Sequence, residues 1–306
     1  MVVQRRLARL VSHLAGGGGG GADDAGSHPG AGRVAAGPAA AYGGLLSAAQ
    51  VESYCRDGFV LCSGLIEPAV LSAAVDSMWE QMAGPSKPLE RDGWATPERP
   101  HPRRGDRSTW SSWAGIVDGP AIVATFTPAL IAAAQMLADA YEAASPFPSI
   151  VHPIRPPDQT LAINAFPNPD PEAQWSWPGP HTDGAGQQRT EPRACRIQHM
   201  TFLTGPAPGE HGGGGTVAWP GCSRRLESVY MGDKASYEMG TELGSMVGEV
   251  CKDITPVEVM PSDGDVLFFD IYTGHSGSAN LAKEPRLALN HKYGVSLHPK
   301  DQYNIT

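Results

Sequence analysis

The stretch Pro178-Gly179-Pro180-His181-Thr182-Asp183-Gly184 sets an imidazole and a carboxylate two residues apart. In extended chain, alternate side chains share a face, so His181 and Asp183 point one way and Thr182 the other. Side by side, they form two corners of a 2-His-1-carboxylate site. Such a site binds Fe(II) on one face and leaves open positions for substrate and oxygen. An H-x-D tripeptide alone is common, so the third ligand must be found elsewhere. His275 is the candidate. Gly264-Asp265 reads as a turn, and the apolar run Val266-Leu267-Phe268-Phe269 behind it reads as a buried strand that delivers His275 near its end. His199 and His291 also fall in strand-like runs, but no suitable cosubstrate anchor follows either. His101, His152, His211 and His298 sit in loop-like surroundings.

Iron(II) oxygenases of this type commonly draw electrons from 2-oxoglutarate. Its distal carboxylate needs a buried cation, and the planar fork of arginine suits it bidentately. Arg286 follows His275 and opens the last long strand-like run. Period-2 alternation puts Arg286, Ala288 and Asn290 on one face, with Leu287 and Leu289 on the other. An arginine on the smaller, more polar face is where such an anchor belongs. Lys292 shares that face and is the next candidate.

The order H-x-D, then G-G-G-T-V-A-W-P-G-C-S, then G-D-V-L-F-F-D…H-S-G-S-A-N…R resembles the phytanoyl-CoA dioxygenase family. The opening helix followed by D-G-F-V is similar to that family as well. The likeness runs from about Ser47 to Val295, interrupted at 85–120 and 223–250. It implies Fe(II) held by His181, Asp183 and His275, with Arg286 pairing the C5 carboxylate of 2-oxoglutarate. It places Thr216 near the cosubstrate and lets Asn164, on the strand before H-x-D, face the same pocket. O2 and 2-oxoglutarate would be consumed and succinate and CO2 released. Asp183 is present where related halogenases carry a small residue, so hydroxylation is implied. The family usually reads P-G-S-H after the glycine turn. Here the sequence is Pro220-Gly221-Cys222-Ser223, and Ser276-Gly277 reverses the usual glycine-serine pair after the distal histidine. These departures touch the finer cosubstrate contacts and not the triad. A zinc hydrolase built on the same three ligands, and a non-catalytic jelly-roll binding protein, are the alternatives.

These residues need elements to position them. Ser47 and Gln50 spell a capping box, with Leu46 and Val51 as its hydrophobic staple. That helix should stop near Asp57-Gly58 and feed a short strand, Phe59-Val60-Leu61. Pro68 suits a first helical position. Val70, Leu71, Val75, Met78, Trp79 and Met82 make a buried stripe ending at Gly84. Residues 85–120, with five prolines to Pro102, read as irregular. There Arg103, Arg104 and Arg107 beside Trp110 and Trp113 form a solvated loop or a lid. Thr127-Pro128 opens a third helix. Beyond Ser145, β-like runs alternate with Gly/Pro-rich turns: 160–166, 197–203, 216–219, 257–259, 266–271 and 287–295. The fold class expected is mainly β with flanking helices. The resemblance specifies a double-stranded β-helix, the cupin-type jelly roll.

With 306 residues and 41% hydrophobic composition, one large domain can bury a core. Net charge of -9 without a basic run argues against nucleic-acid binding. The five cysteines form no C-x-x-C pair, which fits a reduced intracellular protein. No apolar run is long enough to span a membrane. Residues 1–42 are set apart. Arg5, Arg6 and Arg9 lie among Leu7, Leu10, Val11 and Leu14 before a glycine run. They read as a disordered leader in a cytoplasmic protein, or as a mitochondrial or plastid transit peptide. Residues 43–306 are expected to form a single catalytic domain acting on a small-molecule or lipid-like substrate.

Overall fold

Ten strands and six helices follow one another along the described residues. In order they are β1 (Gly32–Val34), α1 (Ala48–Asp57), β2 (Phe59–Cys62), α2 (Pro68–Met82), β3 (Ser111–Asp118), α3 (Pro120–Val123), α4 (Pro128–Ala144) and β4 (Gln159–Phe166). They continue as β5 (Ile197–Phe202), β6 (Thr216–Ala218), α5 (Cys222–Gly232), α6 (Glu242–Cys251), β7 (Val257–Val259), β8 (Val266–Asp270), β9 (His275–Gly277) and β10 (Ala288–Lys292). The computed structural model describes residues 32–34, 45–82, 111–144, 153–168, 172–183, 197–205, 212–232 and 242–293, all within the unit Ala31–Thr306.

Local sequence explains the helix boundaries. Ser47 Oγ accepts from Gln50 N–H at 3.2 Å, and Gln50 Oε1 accepts from Ser47 N–H at 2.8 Å, closing the capping box of α1. At the other end, the N–H of Gly58 returns to Tyr54 O at 2.9 Å. Thr127 Oγ1 caps α4 by accepting from Leu130 N–H at 3.1 Å.

Two sheets form a jelly roll. The larger has the order β2-β8-β5-β10-β4-β3 and is antiparallel throughout. The smaller runs β1-β7-β6-β9, antiparallel except for β1 beside β7. Their inner faces meet in one apolar cluster: Phe59, Leu61, Met200, Phe202, Leu267, Phe269 and Ala288 from the larger sheet, and Ala218 and Val259 from the smaller. The outer face of the larger sheet is covered by helices. There α1 and α4 pack on Val60, Cys62, Ile197, Val266 and Phe268, while α2 packs on Ala162, Phe166, Leu287 and Leu289. Strands buried on both faces read as near-continuous apolar runs. This is the jelly roll with flanking helices that the sequence suggested.

Three segments differ from expectation. Ser111–Asp118, inside the supposedly irregular 85–120, is a full strand, because its backbone pairs residue for residue with β4 from Phe166 to Gln159. Within 223–250, an interruption of the family likeness for which the sequence named no element, α5 and α6 pack together around Leu226, Val247 and Cys251. Gly32–Val34, within the supposed leader, runs parallel to Val257–Val259. The arginine cluster Arg103, Arg104 and Arg107 with Trp110 lies outside the described residues, as do the rest of the leader and residues 294–295. Among the described residues, no helix is long and apolar enough to cross a membrane.

Candidate active site

The segment 172–183 meets β9 at a single point. His181 N–H donates to His275 O and His275 N–H to His181 O, both at 2.9 Å. Residues exchanging both backbone bonds stand directly opposite and share a face. The two imidazoles accordingly sit with ring centroids 4.4 Å apart. Asp183, two residues on, returns to the same face. One donor atom from each of His181, Asp183 and His275 lies within 4.8 Å of the others. His181 is exposed, Asp183 half-buried and His275 buried, so the cluster opens to solvent on the His181 side.

His275 is fixed from behind. Its Nδ1 lies 2.9 Å from Thr273 O, which selects the tautomer with Nδ1–H donating and the lone pair on Nε2. Thr273 is itself anchored, its Oγ1 donating to Gly58 O at 2.8 Å. The edge of Phe269 packs on the imidazole at 5.0 Å. Nε2 therefore faces Asp183, 3.5 Å from Oδ2.

Asp183 divides its oxygens. Oδ1 pairs with Lys292 Nζ at 3.2 Å, while Oδ2 is buried and makes no hydrogen bond. Burial works against the charge on this carboxyl. The Lys292 ammonium, then His275 and His181, outweigh burial and hold it well below the usual carboxylate range. A buried, ionised oxygen without a donor, flanked by two imidazoles, is the arrangement a divalent cation satisfies. The residues present fit a metal ion.

Arg286 stands on the inward face of the strand that carries Lys292. It is 4% exposed. Its Nε donates to Gly214 O at 2.9 Å and its Nη1 to Ile163 O at 2.7 Å. Among the described residues no carboxylate pairs with it. Burial pushes its pKa down to about 10, so it remains charged at neutral pH. The glycine run is needed for this contact. Gly214 has φ 72°, and a Cβ there would meet Ala165 Cβ at 2.9 Å. Thr216 Oγ1 donates to Met200 Sδ at 3.6 Å, and Arg286 Nη1 approaches the same sulfur at 3.8 Å. Thr216 and Arg286 thus converge on Met200. Asn280 steadies the turn before Arg286 by donating to Ala165 O and Glu284 O, each at 2.9 Å.

Asn164 does not join this group. Its Nδ2 points to the sulfurs of Met78 and Met82 at 3.5 and 3.1 Å, and its Oδ1 accepts from Ala288 N–H at 2.9 Å. It lies on the helix-covered face, with Ala162 and Phe166, and fastens β4 to α2 and β10. Lys292 is the reverse case. Alternation placed it on the right face, as a reserve anchor, and the structure seats it on Asp183.

No protein-family model matches this chain, and no curated protein matches it. Among solved structures, the epimerase SnoN, in complex with Fe3+, alpha-ketoglutarate and nogalamycin RO, aligns with a TM-score of 0.51 at 17% identity, over 79% of this chain and 80% of SnoN. AviO1 from Streptomyces viridochromogenes Tue57 aligns at 0.49 and 17% identity, over 83% and 97%. EctD from S. alaskensis with bound Fe aligns at 0.42 and 18% identity, over 81% and 77%. At such identities, the SnoN likeness establishes the shared fold.

Proposed function

We propose that this chain is an Fe(II)- and 2-oxoglutarate-dependent oxygenase of the phytanoyl-CoA dioxygenase type, which hydroxylates a small-molecule or lipid-like substrate. One observation carries the reading. A His-Asp-His donor set shares the interior of the jelly roll with a buried guanidinium that has no carboxylate partner among the described residues. SnoN supports it as a protein of the same fold that holds Fe3+ and alpha-ketoglutarate.

His181, Asp183 through Oδ2 and His275 through Nε2 would hold the iron. When bound, iron with 2-oxoglutarate and O2 supplies the oxidation, with succinate and CO2 released. The chain's own residues supply position and charge. Arg286 would pair the C5 carboxylate of 2-oxoglutarate, its fork already oriented by Gly214 O and Ile163 O. Thr216 would donate to the same carboxylate, since a thioether is only a weak competing acceptor. Lys292 keeps Asp183 ionised and occupies Oδ1, leaving Oδ2 for the metal. We take residues 43–306 as the catalytic domain, with Gly32–Val34 added at its edge. The location is cytoplasmic, or an organelle if the leader directs import.

A zinc hydrolase would use the same triad but give Arg286 no work. The test is anaerobic titration of 2-oxoglutarate into Fe(II)-loaded protein, following the metal-to-ligand charge-transfer absorption, and then succinate release across a substrate library. Hydrolysis with zinc, together with no charge-transfer band with iron, would overturn the reading.

A further inference from the structure

Cys222 and Cys251 have no part in the chemistry above. Cys222 opens α5 and Cys251 closes α6. Both are free thiols and both are buried. Their sulfurs lie 2.7 Å apart, closer than an ordinary sulfur contact, across 29 positions of chain. The apolar cluster around them joins both approaches to the site. Trp175 and Trp177 come from the segment before His181, and Ile271 and Tyr272 from the segment before His275.

The backbone just before His275 passes over the pair. A Cβ on Gly274 would stand 2.7 Å from Cys251 Sγ and 3.0 Å from Cys222 Sγ, so only glycine fits there. Gly274 O also accepts from Trp219 N–H at 2.9 Å, which ties this peptide to the start of α5.

The two thiols are chemically unequal. The Cys251 thiol hydrogen-bonds the Cys222 sulfur and, with the Gly274 backbone and Arg225, holds the Cys222 pKa below its ordinary value despite burial. The same hydrogen bond and burial push Cys251 up. This asymmetry favours Cys222 as the attacking sulfur and Cys251 as the resolving one.

We propose that Cys222 and Cys251 form a redox-active dithiol, which hydrogen peroxide oxidises to an intramolecular disulfide tying α5 to α6 behind His275. The Cys222 thiolate attacks one peroxide oxygen. The O–O bond breaks, Cys222 becomes a sulfenic acid, and the departing hydroxide takes up a proton as water. The Cys251 sulfur then attacks the sulfenic sulfur. The S–S bond forms, the S–O bond breaks, and a second water leaves. Two thiols lose two electrons and the peroxide is reduced to water. A small dithiol reverses the step by exchange. This goes beyond the oxygenase reading and stands without it.

The experiment uses the full chain with a chelator present, so that iron plays no part. Protein is treated with hydrogen peroxide, remaining thiols are alkylated, and peptides are mapped without reduction. A peptide pair joining Cys222 to Cys251, lighter by two hydrogens, is expected. Closing this loop should also raise Tm by roughly 5–10 °C, and dithiothreitol should reverse both changes. Cys222→Ser should remove the link and the Tm shift, while a variant with Cys55, Cys62 and Cys195 all changed to serine should keep them. Complete alkylation of Cys222 and Cys251 in peroxide-treated wild-type protein overturns the proposal. So does oxidation of Cys222 to sulfinic acid without a link, or a disulfide to any other cysteine.

Discussion

Asp183 shows how much a site can hold in one side chain. Its Oδ1 is taken by Lys292, while its Oδ2 is buried without a hydrogen-bond partner. Lys292→Met would strand the carboxylate in the apo-protein, and leaving a mostly buried charge unpaired costs about 2–5 kcal/mol. Saturating Fe(II) or Mn(II) should recover much of that loss, because the cation then holds the charge. Denaturant unfolding with and without metal is the measurement, and a metal-independent loss would show that Lys292 acts elsewhere. Asp183→Ala should bind no iron at all, read by equilibrium dialysis. The pH sense follows from the depressed pKa of Asp183. Its contribution is present above the unfolded value near 4 and is lost as pH falls through the lower folded value. Arg286→Ala should weaken 2-oxoglutarate by about 2–5 kcal/mol, tens- to thousands-fold, with iron binding intact. Arg286→Lys should recover part of the loss. Equal affinity in wild type and Arg286→Ala would remove Arg286 from the site. The convergence of His181, Asp183 and His275 was legible because the residue types are restrictive and the H-x-D spacing fixes a common face. The inward placement of Arg286 was legible because alternation along 286–292 sets it opposite Leu287 and Leu289. Asn164 was not, because β4 carries the apolar Leu161 and Ile163 on its half-buried face and Thr160 and Asn164 on its buried one, so polarity points to the wrong face.

At the scale of elements, the least legible parts were those held by partners rather than by pattern. Ser111-Ser112-Trp113-Ala114-Gly115 has no strand signature of its own, and β4 supplies its register. The helices α5 and α6 lie in 223–250, where the family likeness breaks off and offers no guide, and they are held by packing on each other. The capping box of α1 needed no partner and was plain in the sequence. Neighbouring strands also explain two buried histidines outside the triad. His199 on β5 and His291 on β10 stand opposite each other, under Phe126 at 5.3 and 5.2 Å. Burial, and then the charge of His291, hold His199 well below its usual pKa, and burial brings His291 to about 4. Both folded values lie below the unfolded value near 6.5, so neither residue affects stability above that pH. As pH falls below 6.5 the unfolded chain takes up protons that the fold refuses, and stability drops until His291 protonates near 4. For His291 alone this amounts to roughly 3 kcal/mol. Urea unfolding at several pH values should show the decline, and His291→Leu should make it shallower, leaving the share that buried His199 contributes. An unchanged slope in His291→Leu would mean that these residues ionise freely in the fold.

At the scale of the molecule, the question is where the folded unit begins. Composition separates residues 1–42, yet β1 lies inside them and pairs with β7 as the outer strand of the smaller sheet. That sheet also carries Thr216 and His275, on β6 and β9. Composition hides β1 because a strand of three residues needs no periodic pattern when its neighbour dictates its register. Two truncations separate the boundaries. Removing residues 1–30 leaves β1 in place and should leave Tm unchanged. Removing residues 1–42 deletes β1 and turns β7 into an exposed edge. The loss is a few backbone hydrogen bonds, each worth about 0.5–1.5 kcal/mol net, so about 1–3 kcal/mol in all. For a domain of this size, that lowers Tm by a few degrees. Iron affinity should survive both cuts, because the His181–His275 pairing and the strands flanking it are untouched. Differential scanning calorimetry of the two truncations beside the full chain decides the matter. Identical Tm values would make β1 dispensable, and an insoluble 31–306 fragment would place the leader within the domain.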